Sequence, residues 1–347
     1  MDSVLHLVAG FTLDFSSLPQ QLVNGLVIGA IYALIALGYT MVYGVLRLIN
    51  FAHGEVFMLG AYTALLTSYT MGFTPELVKK GVMQGHPLTS SPFNLVILIL
   101  ASMAVCAVIG AVIEFLAYRP MRNQSRIAAL ITAIGVSLFL QYGGQLFLPA
   151  NPPPSVVQEV NPFQGVINHS FRKAVIAQDG SVTSPAIELT VTQGKVIMLV
   201  TVVVLMGLLT YLVMYTRAGR AMRAASHDFD SASLMGVNVN RVVTFTFMLG
   251  SALAGAGAMM LATFEGTPLQ PFYGLLPGVK AFVAAVLGGI GNIPGAVLGG
   301  IVMGLAETLV VWLGFSQYKD AVAFVILIFV LLLKPGGLLG SDKVEKV

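Results

Sequence analysis

The densest group of ionisable side chains in an otherwise apolar chain is Arg47-Leu48-Ile49-Asn50-Phe51-Ala52-His53-Gly54-Glu55. An Arg, a His and a Glu this close can pair with one another, and His53 beside Glu55 brings a zinc site to mind. Helical spacing argues against the metal, because residues two apart lie on different faces and no H-E-x-x-H pattern follows. Two readings stay open: an ion pair that fixes the first two helices, or a part in a gate or substrate path. Glu114, Glu265, Lys280 and Glu307 also stand in or at the edge of apolar runs. Charge within a membrane span is costly, so Lys280 and Glu307 are expected to face a bundle interior, with a snorkelling Lys280 as the alternative. Glu265, beside Gly266, Thr267 and Pro268, suits an external vestibule. The single Cys106 excludes a disulfide framework and a cysteine-based metal site.

The elements that must hold these groups are apolar helices. Of the 347 residues, 56% are apolar and 10% charged, where a soluble domain carries roughly 25% charge. Too few charges remain to cover a soluble fold, so the chain reads as a membrane protein. Its net charge of +3, with arginines spread among aliphatic residues, offers no basic face for nucleic acid. A hydrocarbon layer of about 30 Å takes about 20 apolar residues as helix. Nine runs meet or approach that length: 20–46, 51–71, 93–118, 127–148, 195–216, 241–263, 275–290, 295–313 and 320–333. The seventh and ninth are short, and Gly288-Gly289-Ile290-Gly291-Asn292-Ile293-Pro294 cannot continue a helix. The fold expected is an all-α, polytopic bundle of eight or nine transmembrane helices, one membrane domain over 1–347 with short broken helices near 288–294.

Eleven of the eighteen Lys and Arg residues fall in 47–50, 119–126, 217–241 and 334–347, which puts these segments and the C-terminus in the cytoplasm and the N-terminus outside. Residues 1–46 contain no Lys or Arg, so the start reads as a short uncleaved leader. Residues 149–194, rich in Pro, Asn, Gln, Asp and Ser, read as a polar external loop with room for a small cap.

Glycines four apart at Gly25/Gly29, Gly295/Gly299 and Gly300/Gly304 let helix backbones approach closely, within the chain or across a dimer face. Gly289-Ile290-Gly291-Asn292-Ile293-Pro294 is no dinucleotide fingerprint, since it follows an apolar span and Pro294 replaces the third glycine. No G-x-x-x-x-G-K-S/T loop is present; Gly194-Lys195 is followed by Val196 and opens a span. Any ATP hydrolysis is therefore expected from another polypeptide, and this chain is expected to have no catalytic residue, metal or cofactor of its own. Arg217 to Asn238, with its small residues and Leu234-Met235 at helical spacing, reads as a short helix outside the membrane that is stopped by Gly236. Such a helix should dock on another component. The other reading, a basic helix on anionic lipid, is opposed by Asp228 and Asp230.

Four separated motifs carry a resemblance. Asn24-Gly25, the run Ala30-Ile31-Tyr32-Ala33-Leu34-Ile35-Ala36-Leu37-Gly38-Tyr39-Thr40-Met41-Val42-Tyr43-Gly44, Ile49 to Glu55, and Lys280-Ala281-Phe282 through Leu287-Gly288-Gly289-Ile290-Gly291 resemble permease subunits of branched-chain amino acid ABC importers. The match runs from about Pro19 to the end, external loops excepted. It implies a multi-pass inner-membrane permease with a fold related to the vitamin B12 importer class. The partners implied are a homologous second permease, two ATP-binding subunits that hold the ATP, a periplasmic substrate-binding protein and the lipid bilayer. By the same resemblance Arg220 to Gly236 is the coupling helix that seats in a cleft of the ATPase, through Arg220, Arg223, Asp228, Asp230, Leu234, Met235 and Gly236. Asn24, Tyr32, Asn50, His53, Glu55, Glu265, Lys280 and Glu307 are expected to line the path or gate. Asp230-Ser231-Ala232 stands where such coupling segments often carry an acidic-Ala-Ala core. Lys334-Pro335-Gly336-Gly337-Leu338 has Lys where some relatives differ, and no function attaches to it.

On this reading a binding protein delivers a leucine-, isoleucine- or valine-like substrate, and ATP-driven closure opens the permease inward along small and apolar side chains. Urea or short amides are the rival substrates. A stand-alone secondary transporter or channel, holding coupling ions on the broken helix near 288–294, is the reading from a different class.

Overall fold

The computed structural model describes residues 15–71, 92–122, 124–149, 163, 165–172, 175–176, 182–184, 187–265 and 268–340. The apolar start of the expected leader lies outside them. The helices are α1 (Leu18–Leu46), α2 (His53–Thr70), α3 (Pro92–Ile113), α4 (Arg126–Phe147), α5 (Gln193–Tyr215), α6 (Arg217–His227), α7 (Phe229–Leu234), α8 (Val239–Phe264), α9 (Leu275–Gly288), α10 (Ile293–Trp312) and α11 (Ala321–Leu333). A π-turn at Glu114–Tyr118 and one turn at Arg119–Met121 extend α3. Among the described residues six helices, α1, α3 with its extension, α4, α5, α8 and α10, are long and apolar enough to cross a membrane; α9 and α11 are apolar but shorter.

Local chemistry sets the helix starts. Pro19 opens α1. Ser125 Oγ accepts from the Ala128 N–H (3.2 Å) at α4, Asn238 Oδ1 from the Arg241 N–H (3.1 Å) at α8, and Asn292 Oδ1 from the Gly295 N–H (3.3 Å) at α10.

Helix α1 is buried along most of its length, and α10 packs along it through glycine. A Cβ on Gly29 would lie 2.8 Å from Ile301 Cα, and one on Gly25, Gly300 or Gly304 would strike Thr308, Ala33 or Gly29. Gly295 and Gly299 meet Gly288 and Ala284 of α9 in the same way. The four-residue spacings thus serve packing within the chain. Helices α4, α5 and α11 turn rows of large apolar side chains outward, Phe139, Leu146, Val204 and Leu332 among them.

Three features differ from the sequence reading. The all-α expectation needs a correction in 149–194, where β1 (Val166–Arg172) pairs antiparallel with β4 (Ile187–Thr192), and β2 (Val175–Ile176) with β3 (Val182–Ser184). The alternation Ile187-Glu188-Leu189-Thr190-Val191-Thr192 has the two-residue period of a strand, and Gln20 Oε1 accepts from the Thr190 N–H at 2.8 Å to tie β4 to α1. The docking helix is two helices, because Asp228 leaves helical geometry to cap α7. Its Oδ1 accepts from the Asp230 N–H (2.9 Å) and its Oδ2 from the Ser231 hydroxyl (2.6 Å).

The third difference positions the site. Arg47 ends α1 in the left-handed conformation (φ 54°), and the chain turns back into the bundle before α2. The His53 ring packs on Gly38, and Gly38 packs on Gly250, near the midpoint of α8. A helix expected to begin at a membrane boundary therefore begins halfway through the bundle. Helix α9 begins at the same level: Gly274 touches Gly54 and Met58, and a Cβ on Gly278 would lie 2.8 Å from Gly54 Cα. From there α2 climbs past Gly255 of α8, while α9 descends to meet the start of α10. The turn between α9 and α10 needs glycine at Gly289 (φ 103°) and Gly291 (φ 94°). The chain after α11 clasps it, the Leu338 and Leu339 N–H groups bonding the Leu287 and Gly288 carbonyls at 2.7 and 3.1 Å.

Candidate functional site

Where α2 and α9 start, they enclose with α1 and α4 a cavity of about 210 Å³. Its polar side chains are Tyr39, Glu55, Ser137 and Gln141; Phe51, Ile134, Leu138, Leu275, Val279 and Phe282 form apolar walls. Glu55 is 1% exposed. Its Oε1 accepts from the Ser137 hydroxyl at 3.3 Å, and its Oε2 has no partner. In the first turn of α2, the His53 N–H bonds Asn50 O (3.1 Å), the Val56 N–H bonds Ala52 O (3.0 Å), and the Gly54 backbone bonds the Tyr39 hydroxyl. The Glu55 N–H between them has no acceptor within the helix. Each helix start carries roughly half a positive charge, so two starts at one cavity make an electropositive spot faced by one carboxylate.

His53 points away from Glu55. It bonds the Ile35 carbonyl, its Nε2 is buried without a partner against Gly38, and its ring meets Tyr39 edge-on at 4.6 Å. Among the described residues neither His53 nor Glu55 joins an ion pair, so of the two readings the ion pair finds no support. The two-residue spacing sends the side chains to different faces, and each finds a neutral partner. Asn50 Oδ1 accepts from the Tyr118 hydroxyl at 2.9 Å.

Lys280 and Glu307 come together in the interior. Lys280 Nζ lies 2.8 Å from Glu307 Oε1 and 2.6 Å from Asp320 Oδ1. The Tyr32 hydroxyl donates to Glu307 Oε2 at 2.8 Å. With its side chain 7% exposed, Lys280 does not snorkel. The cluster ties α1, α9 and α10 to the start of α11. Asp320 escaped sequence reading, because an acid at the edge of an apolar run ordinarily faces solvent.

At one end of the bundle, Asn24 Oδ1 accepts from Gln20 (3.1 Å) and Lys195 (3.0 Å), and Lys195 pairs with Glu265 at 3.8 Å. The other end carries Arg47, Arg119, Arg122, Arg220, Arg223 and Arg241. There Glu114, fully buried in the π-turn, pairs with Arg122 and accepts from the Thr244 hydroxyl (2.6 Å), locking α3 to α8. The eight path candidates therefore divide: Tyr32, Lys280 and Glu307 in one cluster, Asn24 and Glu265 joined through Lys195, Glu55 on the cavity, Asn50 and His53 on protein partners. The cavity residues Tyr39, Ser137 and Gln141 were not singled out. The four-residue spacing of Ser137 and Gln141 on one face of an apolar run is the signal that marks them.

At the Arg-rich end, Thr216 caps α6 (Gly219 N–H to Oγ1, 3.1 Å) and Arg223 donates to the Val213 carbonyl. Met222 and Ala225 are buried, while Arg220 and Asp230 are exposed. The Ser231 hydroxyl and the Asp230 N–H hold the Asp228 carboxyl below its usual range. Leu234 and Met235 are 86% and 84% exposed, and Gly236 leaves α7 at φ 84°. They form an apolar tip on a basic end.

A family model described as the permease component of branched-chain amino acid transport systems matches residues 21–331. The chain belongs to that permease family. This permease is 40% identical over 328 residues to the high-affinity branched-chain amino acid transport system permease protein LivH of Escherichia coli (strain K12), covering 94% of this chain and 97% of that protein. It is 41% identical, with the same coverage, to the corresponding protein BraD of Pseudomonas aeruginosa. Among the described residues, the six helices long and apolar enough to cross a membrane accord with a multi-pass membrane permease.

Proposed function

We propose that this permease and a homologous second permease together form the translocation path of an ATP-driven importer for branched-chain amino acids. The observation that carries the reading is the tip at Leu234-Met235. Two large apolar side chains left in water forgo about 1.5–3 kcal/mol each relative to burial, and the Asp228 cap and the Gly236 turn present them as one knob. That knob suits a cleft in an ATP-binding subunit, with Arg220, Arg223, Asp228 and Asp230 on the same segment. Arg223 and Met222 of α6 share a crevice with Met41 and Val45 of α1 and with Gly291 and Ile293 at the α9–α10 turn. A push on the tip thereby reaches α1 and the end of α9, two of the four helices that line the cavity.

On this reading the Arg-rich end and the C-terminus are cytoplasmic and the N-terminus is outside. The chain crosses the membrane eight or nine times in a fold related to the vitamin B12 importer class, and β1–β4 lie on the face offered to a periplasmic binding protein. Asn24 and Glu265 border the outer mouth, Glu55 the path itself, and the Tyr32-Lys280-Glu307 cluster holds the gate helices; Asn50 and His53 brace the start of α2. The apolar cavity walls favour an aliphatic substrate over urea or short amides.

The test is a pull-down of the tagged permease from mild detergent, with bound proteins identified by mass. Recovery of a second permease and two ATP-binding subunits is expected. Recovery of the permease alone, still competent for leucine flux in liposomes without ATP, would replace the importer by a secondary transporter.

A further inference from the structure

Resting on the importer reading, we propose that the cavity between the starts of α2 and α9 is a seat inside the permease for the zwitterionic head of the transported amino acid. The Glu55 carboxylate receives the α-ammonium, the Tyr39 hydroxyl and the two helix starts receive the α-carboxylate, and the apolar walls take the aliphatic side chain.

Three observations converge. Glu55 Oε2 is buried and unpartnered, and Glu55 lines the cavity, so a donor on a ligand seated there would offset the cost of burying it. Two helices begin at mid-depth, and irregular backbone at that depth belongs where it lines a cavity. Gly54, Gly274 and Gly278 bring the starts into contact, and any side chain on them would collide with the opposite backbone. A single carboxylate beside two positive helix ends matches both charges of an amino acid at once. A neutral solute such as urea satisfies neither, and a simple cation leaves the helix ends unmatched. Phe51 and Phe282 face each other at 6.1 Å between ring centroids and complete the apolar side.

The test uses the complete transporter, solubilised without its binding protein so that the permease alone selects. Cys106 is the single cysteine and is buried, so a Cys106→Ser, Leu138→Cys background gives one thiol on the cavity wall. Its maleimide labelling rate is measured against L-leucine, isocaproate (leucine without its ammonium) and isoamylamine (leucine without its carboxylate). Leucine is expected to slow labelling saturably, and each analogue to need a concentration at least about tenfold higher. Glu55→Gln should raise the leucine midpoint at least about tenfold, and Glu55→Asp less. Isocaproate protecting as well as leucine, a Glu55→Gln midpoint within about twofold of the parent, or no slowing by leucine at any soluble concentration overturns the seat. The analogue series needs no Glu55 variant, so failure of Glu55→Gln to insert leaves the test standing. ATP-driven leucine uptake by the unmodified transporter with its binding protein is measured in parallel. Its absence overturns the importer reading, whereas uptake without cavity protection overturns the seat alone.

Discussion

Replacing Lys280 with Met tests whether the interior cluster holds the bundle together. Lys280 contacts Glu307 at 2.8 Å and Asp320 at 2.6 Å, but the two carboxylate side chains are 8% and 40% exposed. Removing one partner of a buried pair costs about 3–5 kcal/mol, because the charge left behind has no compensation. An exposed pair contributes about 0–1 kcal/mol. The longer contact should therefore dominate: Lys280→Met and Glu307→Gln should each cost about 3 kcal/mol, and Asp320→Asn about 1 kcal/mol or less. Tyr32→Phe deletes one donor to a carboxylate and should cost about 1.5–3 kcal/mol. The double variant Lys280→Met, Glu307→Gln leaves no buried charge at that pair and should cost less than the sum of the singles by about 2 kcal/mol. The assay is reversible unfolding in mixed micelles of increasing SDS content, followed by the fluorescence of Trp312. That residue is the single tryptophan, on the same helix as Glu307 and edge-on to Phe15 at 5.5 Å. Equal losses for Asp320→Asn and Glu307→Gln, or strictly additive losses in the double variant, would refute this assignment of strength.

Other outcomes follow from the geometry. Gly236→Val must force a β-branched residue to φ 84°, so leucine uptake should fall while membrane insertion and basal ATP hydrolysis persist, and Gly236→Asn should be far milder. Leu234→Asp with Met235→Asp should release the ATP-binding subunits in the pull-down. Gly300→Leu would drive a side chain into the Ala33 backbone and should abolish folded yield, whereas Gly135→Ala, with open space around it, should be neutral by size-exclusion profile. The Asp228 cap has its folded pKa lowered, so its contribution is complete above the usual aspartate value and fades as pH drops below about 4. Hydrogen exchange in α7 should therefore speed up in Asp228→Ala at pH 7, and the difference from the parent should shrink steadily as the pH is lowered below about 4.

Much of the fold was legible because the signals that built it are local. Runs of apolar residues opened by Pro19, Ser125, Asn238 and Asn292 give helices where composition says they must lie, and Gly236 stops α7 as its type predicts. Charge patterning picked out Lys280 and Glu307 as interior groups for a thermodynamic reason: an unpaired charge has no other tolerable place in such a bundle. The partner was less visible. Asp320 sits at the edge of a run, where an acid ordinarily means solvent, and only the packing of α11 against α9 turns it inward.

The cavity was the least legible part, and the reason is physical. Hydropathy reports that a segment is apolar, not the depth at which it starts. The run 51–71 is as apolar beginning at mid-bundle as at a boundary, so the sequence leaves Arg47-to-Glu55 open between an ion pair at the boundary and a part in a gate or path. What places it is a set of contacts between glycines far apart in sequence: Gly38 with Gly250, Gly54 with Gly274 and Gly278. Each glycine taken alone reads as generic close packing. Together they bring two helix starts to one point, and the Glu55 carboxylate with its free oxygen is then the compensating charge. Moving either start to a membrane surface would let water satisfy its N–H groups, and the carboxylate would have nothing to face. Glu55 and the paired glycines therefore make sense as one arrangement. Gly278→Ala, which wedges the starts apart, should weaken leucine protection of the thiol in the Leu138→Cys background as Glu55→Gln does.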